Sequence, residues 1–148
     1  MKKILIISGL IASVCFCKAQ NTDIELENVR KVIELSNANY ADLANKGDGS
    51  ILTKYTEDAC LFPPGSAPVC GHEHISSFFK GSPKVKVKFT IQHLYGDPKT
   101  CITEESFYEM TDPEGKKMDD GKVIVIWKNT KNGWKMHRDM FSSNHPMK

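Results

Sequence analysis

Cys60 and Cys70 bracket a Pro-Pro-Gly turn, and His72 and His74 follow just beyond it. Thiolates and imidazoles this close could ligate zinc. Strong zinc sites use C-x-x-C or H-x-x-x-H spacing, and neither occurs here. His72 and His74 also straddle a predicted helix start, where neither helical nor strand spacing brings them together. No metal is expected. If the segments "ACLF" and "PVCG" pair as a hairpin, Cys60 and Cys70 face each other. A bridge there would stabilise the fold by roughly 2–3 kcal/mol. The alternative is that each packs as a small apolar residue.

Five other groups could do chemistry. His93 falls on the apolar face of a predicted strand, between Ile91 and Tyr95. It is either a pocket acid, base or donor, or a core histidine bonded to backbone or water. Tyr40 shares the apolar stripe of the first helix and offers a polar tip. Glu109 lies on a later strand. Arg138 is in step with Trp134, Met136 and Met140, whereas Asp139 is in step with His137 and Phe141. On a regular strand only one of Arg138 and Asp139 can face a pocket. There is no G-x-S-x-G, P-loop or dinucleotide fingerprint, and no cofactor is expected.

These residues need elements to hold them. The segment "TDIELENVRKVIELSNANYADLANKGD" reads as a helix. Val29, Val32, Ile33, Ser36, Tyr40, Leu43 and Ala44 repeat at helical spacing, and Gly47 stops it. "SILTKYT" reads as a short helix, "EDACLF" as a strand and "HISSFFKG" as a third helix. In "KVKVKFTIQHLY", Lys84, Lys86, Lys88, Thr90 and Gln92 alternate with Val85, Val87, Phe89, Ile91, His93 and Tyr95. The lysine row is a solvated face. "TCITEESFYEM" is a strand of weak pattern, and "TDPEGKKMDDG" a polar loop. "KVIVIWKN" is apolar on both faces and so central. "WKMHRDMFSS" is the last strand. Helices first, then strands joined by short turns, predict an α+β fold. Its curved antiparallel sheet wraps on the N-terminal helices as a cone, with a pocket between the layers.

The start of the chain, "MKKILIISGLIASVCFCKAQ", carries Lys2 and Lys3, an apolar run and small residues at Cys17 and Ala19. This is the pattern of a signal peptide over 1–19, cleaved after Ala19. The rival is a lipid anchor at Cys15 or Cys17. Cleavage implies a secreted or periplasmic protein, residues 20–148 forming one domain, with no membrane in the mature form. It removes Lys2, Lys3 and Lys18 from 20 basic residues set against 18 acidic ones. The mature chain is then near neutral, which argues against nucleic acid as a partner. Three cysteines remain, an odd number in an oxidising compartment, so Cys101 is expected to be free.

The ordered set Tyr40, Gly47-Asp48, Tyr55, Asp58-Ala59, Pro64-Gly65, Gly71, Ile75 and Phe78 resembles SnoaL-like and ketosteroid-isomerase-like proteins. These belong to the nuclear-transport-factor-two-like superfamily. The tail "GKVIVIWKNTKNGWKMHRDMFSSN" is similar to the end of its uncharacterised secreted branch. The resemblance implies the cone, usually as a homodimer packed sheet to sheet, and places the Pro-Pro-Gly turn at the pocket mouth. Steroid isomerases of this family use a helix Tyr as oxyanion donor, an Asp base and a protonated acid. Tyr40 falls at the donor position. Pro63, which accepts no proton, falls at the base position, and the acid's place falls near the apolar residues Ile124 to Ile126. Steroid isomerisation is therefore not expected.

The expected function is binding of a small apolar ligand in the cone. The expected pocket is Tyr55, Phe62, Phe89, Ile91, Tyr95, Glu109, Trp127 and one of Arg138 and Asp139. One alternative is a lyase, cyclase or isomerase with His93 as base and Tyr40 as donor. Another is a structural or protein-binding homodimer whose cone is filled by its own side chains. The apolar outer face of the strand over 123–127 itself suggests cover by a second chain.

Overall fold

The computed structural model describes residues 8–146, with side-chain surroundings from residue 23 onward. The leader expected over 1–19 lies outside the residues whose side chains are described. Helix α1 (Ser8–Ala38) is followed by α2 (Tyr40–Asn45). Asn39, at φ −109° and ψ 11°, breaks the single helix that periodicity predicts. α1 buries Val29, Ile33 and Asn37, one residue per turn, against the sheet. Val32, expected on that stripe, is 46% exposed. A 3-10 turn (Ser50–Lys54) and α3 (His72–Lys80) complete the helical layer. No described helix is long and apolar enough to cross a membrane.

The strands are β1 (Tyr55–Phe62), β2 (Val69–Cys70), β3 (Lys86–Asp97), β4 (Cys101–Thr111), β5 (Lys117–Thr130) and β6 (Gly133–Ser143). They form one curved, unclosed sheet in the order β2-β1-β6-β5-β4-β3. β1 and β6 run parallel, and every other pair is antiparallel. The sheet is thus mixed, not antiparallel throughout as the short turns suggested. A pairing between the first and last strands leaves no local mark in sequence. β5 starts at Lys117, inside the stretch expected to be a loop.

Two β-bulges decide which side chains face the helices. In β3, Ile91 pairs with Ser106 and His93 with Glu105, so Gln92 is the extra residue. A bulge shifts the two-residue alternation by one. Leu94 therefore turns inward and is buried, while His93 and Tyr95 turn outward and are exposed. In β6, Trp127 pairs with Met136 and Ile126 with Arg138, leaving His137 extra. Met136 and Asp139 are both buried as a result, and Arg138 faces out.

The outer face of the sheet is apolar in its middle. Phe62 lies opposite Met140, and Met140 opposite Ile124. Ile124, Met140 and nearby Phe107 are each about half exposed. Cys60 lies opposite Cys70 across β1 and β2, and the two are bridged. Cys101 is the free thiol among the described residues.

The bridge closes a short loop around the Pro-Pro-Gly turn, so it restricts the unfolded chain. Replacing both Cys60 and Cys70 by Ser should lower stability by roughly 2–3 kcal/mol in urea denaturation. The fold should survive, because neither sulfur lies in the core.

Candidate functional site

Inward-facing positions of neighbouring strands line up in register. Leu94, Glu104, Val125, Asp139 and Leu61 form one row across β3, β4, β5, β6 and β1. Two carboxylates thus stand in the same row with a valine between them, their backbones about 10 Å apart at ordinary strand spacing. Both are buried.

Glu104 is held from three elements. Its Oε1 accepts from Asn37 Nδ2 on α1 at 2.8 Å and from Ser106 Oγ on β4 at 2.5 Å. Its Oε2 accepts from the Trp127 indole N–H on β5 at 2.7 Å. Burial holds its pKa above the ordinary carboxylate value, and the three donors offset only part of that rise. Three donated hydrogen bonds suit the ionised form.

Asp139 is held by one bond. Tyr55 donates its hydroxyl to Asp139 Oδ2 at 2.6 Å. Tyr55 has one proton to give, so in the 2.9 Å contact between the two phenols Tyr40 is the donor. A chain therefore runs from Tyr40 through Tyr55 to Asp139. Among the described residues no other side chain bonds the Asp139 carboxylate. Burial pushes its pKa up to about 6; the Tyr55 bond pulls it down and the Glu104 charge adds to the rise. Burial and the Asp139 charge hold both phenols well above the ordinary tyrosine value, so they stay protonated.

These groups end in a cavity of about 180 Å³ between the helical layer and the sheet. Asn37, Tyr40, Glu104 and Asp139 give it a polar end. The remaining wall is chiefly apolar, including Ala41, Phe79, Phe89, Val125 and Phe141. Tyr40 meets Phe89 and Phe79 edge to face, at 5.6 and 6.0 Å between ring centres. Pro83 is the exposed residue of the lining, so the cavity opens beside the loop after α3. The Pro-Pro-Gly turn, expected at the mouth, is not part of the wall.

Of the expected pocket, Tyr40, Phe89 and Asp139 line the cavity. Tyr55 and Trp127 stand behind it as the donors to Asp139 and Glu104. Ile91 packs against the core without reaching the space. Phe62, Tyr95, Glu109 and Arg138 lie on the outer face and are corrected here. His93 is exposed and lies against Tyr95 at 5.8 Å, so the proposed base is outside the cone. His72 and His74 each bond a different backbone carbonyl, those of Tyr55 and Cys70. Pro63 is buried but does not line the cavity. Sequence reading missed Glu104 and Asn37. Both carried a signal: Glu104 is in step with Ile102 and Tyr108, and Asn37 with Val29 and Ile33.

Neither the protein-family models nor the curated proteins give a match to this chain. Solved structures do match. A ketosteroid isomerase-like protein from Erwinia carotovora atroseptica is 19% identical, with TM-score 0.57, over 76% of this chain and 98% of that one. A nuclear-transport-factor-two-like protein with a cystatin-like fold from Novosphingobium aromaticivorans is 15% identical, with TM-score 0.58, over 96% and 94%. A domain of unknown function with a cystatin-like fold from Nostoc punctiforme is 11% identical, with TM-score 0.66, over 80% and 78%. The chain has the nuclear-transport-factor-two-like, cystatin-like fold. At these identities the likeness speaks for the fold, in agreement with the resemblance read from sequence. In this nuclear-transport-factor-two-like cone the buried acid of the cavity wall comes from β6, and Pro63 is not part of that wall.

Asp139 yields a stability test. Its folded pKa, about 6, lies above the unfolded value near 4. The fold therefore holds the proton more tightly than the unfolded chain does. That stability is fully present below pH 4 and is lost as pH rises through 6. The difference corresponds to roughly 3 kcal/mol. Asp139→Asn, which cannot ionise, should exceed the wild type by roughly 2–3 kcal/mol at pH 7.5 and match it near pH 4, by urea denaturation at both values.

Proposed function

We propose that the cone binds a small, mainly apolar molecule about one ring in size. Its polar end sits at Tyr40 and Asp139, where Asp139 can take or return a proton. The observation that carries this reading is a buried carboxylate, bonded through one oxygen, lining an apolar cavity. Binding sites combine this kind of apolar wall with a few convergent polar groups. An apolar cavity of roughly 150 Å³ accepts benzene, so about 180 Å³ suits a single substituted ring. The cone is not filled by its own side chains. Asp139 takes the role first given to His93, and the lyase or isomerase alternative is retained with that change. A pKa near neutrality is what a general acid or base requires. The likeness to a ketosteroid isomerase-like protein supports acid–base use of such a cone, though steroids do not suit a space of this size.

Export is part of the same reading. The leader pattern of residues 1–19 supports it, and a disulfide between Cys60 and Cys70 suits an oxidising compartment. The row of Phe62, Met140 and Ile124 supports a homodimer packed sheet to sheet, since contiguous exposed apolar surface marks an interaction site.

Calorimetric titration with benzyl alcohol should show saturable binding to the wild type. Ala41→Phe, which places a ring in the cavity, should reduce it at least tenfold. Equal binding by both proteins would exclude the cone as the site. Mass spectrometry of the purified protein can then identify any molecule it retains. For the dimer, light scattering at micromolar concentration should give twice the chain mass, and Ile124→Lys should give the monomer. A monomeric wild type would remove the dimer and leave the ligand reading intact.

A further inference from the structure

The polar end of the cavity carries charge of one sign. Glu104 and Asp139 line it, and no lysine, arginine or histidine does. The basic group that acts on Glu104 is Arg30 on α1, and its influence is the smallest of those on that carboxylate. The groups facing Asp139 from the packed elements are Tyr40 of α2, Tyr55 of β1 and Glu104 of β4. None of them is basic. His137 and Arg138, its neighbours on β6, turn away toward Asp58.

The hydrogen-bonding sense at Tyr40 and Asp139 is also one-sided. The Tyr55 proton goes to Asp139, and the Tyr40 proton goes to Tyr55. Asn37 keeps one amide N–H beyond its bond to Glu104, but with Asp139 ionised what Tyr40 and Asp139 offer a ligand is the Tyr40 oxygen and the free Asp139 oxygen. Both are acceptors. The nearby rings of Tyr40, Phe79 and Phe89 add the negative faces that attract cations. Elsewhere in the wall, Ser82 donates to the Phe78 carbonyl and Tyr108 to Asp119.

We infer that the cone takes a small ring-bearing amine in its ammonium form, with the nitrogen against Asp139 and Tyr40. This rests on the reading of the cone as a ligand site. An ammonium supplies both things the site lacks, a positive charge and several donors. A neutral alcohol supplies one donor and no charge. A carboxylate would put a third negative charge in a buried space, which like-charge repulsion and desolvation both oppose.

The test compares benzylamine, benzyl alcohol and benzoate by calorimetry on the wild-type protein at pH 7.5 and pH 5. At pH 7.5 benzylamine should bind at least tenfold more tightly than benzyl alcohol, and benzoate should not bind. Benzylamine stays protonated at both values, whereas Asp139 with a pKa of about 6 is mostly neutral at pH 5. Amine affinity should therefore fall about tenfold from pH 7.5 to pH 5. Asp139→Asn should bind benzylamine no better than benzyl alcohol, and a melting curve checks that it folds. If that variant does not fold, the wild-type pH dependence decides alone. Benzyl alcohol or benzoate binding as well as benzylamine, or amine affinity unchanged between the two pH values, would overturn the amine assignment and leave the ligand site standing. Binding of none of the three would overturn both.

Discussion

A carboxylate buried between helix and sheet sets how the two layers meet. Glu104 accepts from Asn37, Ser106 and Trp127, and so ties α1, β4 and β5 together at one point. Burying an unpaired carboxylate costs several kcal/mol. Each hydrogen bond to a charged group returns about 1.5–3 kcal/mol. The balance is favourable only while all three donors stay in place. That requirement fixes the rotation of α1, since Asn37 must face the sheet. It also fixes the Trp127 ring, whose N–H must reach the neighbouring strand. The layers are therefore positioned by a directional contact, where apolar packing alone would allow sliding.

The cavity follows from that positioning. Where the helical layer lines the space opposite the sheet it offers two alanines, Ala41 and Ala44. Small residues above and valines below leave space that larger side chains would close. Tyr40 and Phe79 wall the space from the side and hold each other edge to face. The break at Asn39 matters here, because a continuous helix would carry Tyr40 on a different path over the sheet.

The helices and five of the strands were legible in the sequence, because hydrophobic patterning survives in most of them. Val85, Val87, Phe89 and Ile91 alternate cleanly with lysine and threonine, and the strand is where they put it. The alternation then misled at its end. Gln92 and His137 are each one extra residue, and nothing in side-chain type marks a bulge of this kind. Extrapolating a period of two through Gln92 placed His93 in the cone, and through His137 left Arg138 and Asp139 undecided. β4 was read as a strand of weak pattern, and its facing was hidden for the opposite reason. Its inward positions are Ile102, Glu104, Ser106 and Tyr108, so the polar site itself erased the pattern that would have revealed it. The parallel contact of β1 with β6 was invisible because it is non-local.

The two buried acids differ in what surrounds them, and that difference separates a fully paired carboxylate from a half-paired one. Glu104 has donors on both oxygens, three hydrogen bonds that favour its ionised form. Asp139 has one donor, a like charge in its row and an oxygen open to the cavity. Protonation of Asp139 also changes its neighbours. An ionised Asp139 orders the phenols so that Tyr40 gives its proton to Tyr55. A neutral Asp139 carries its own proton and no longer requires that order. Tyr55 can then turn, and Tyr40 is released to donate into the cavity. One proton thus switches the Tyr40–Asp139 pair from all-acceptor to partly donor. On the proposed ligand reading, a site built this way would discriminate between ligands by their hydrogen-bonding sense, and a ligand of the matching sense would drive the proton off or on as it binds.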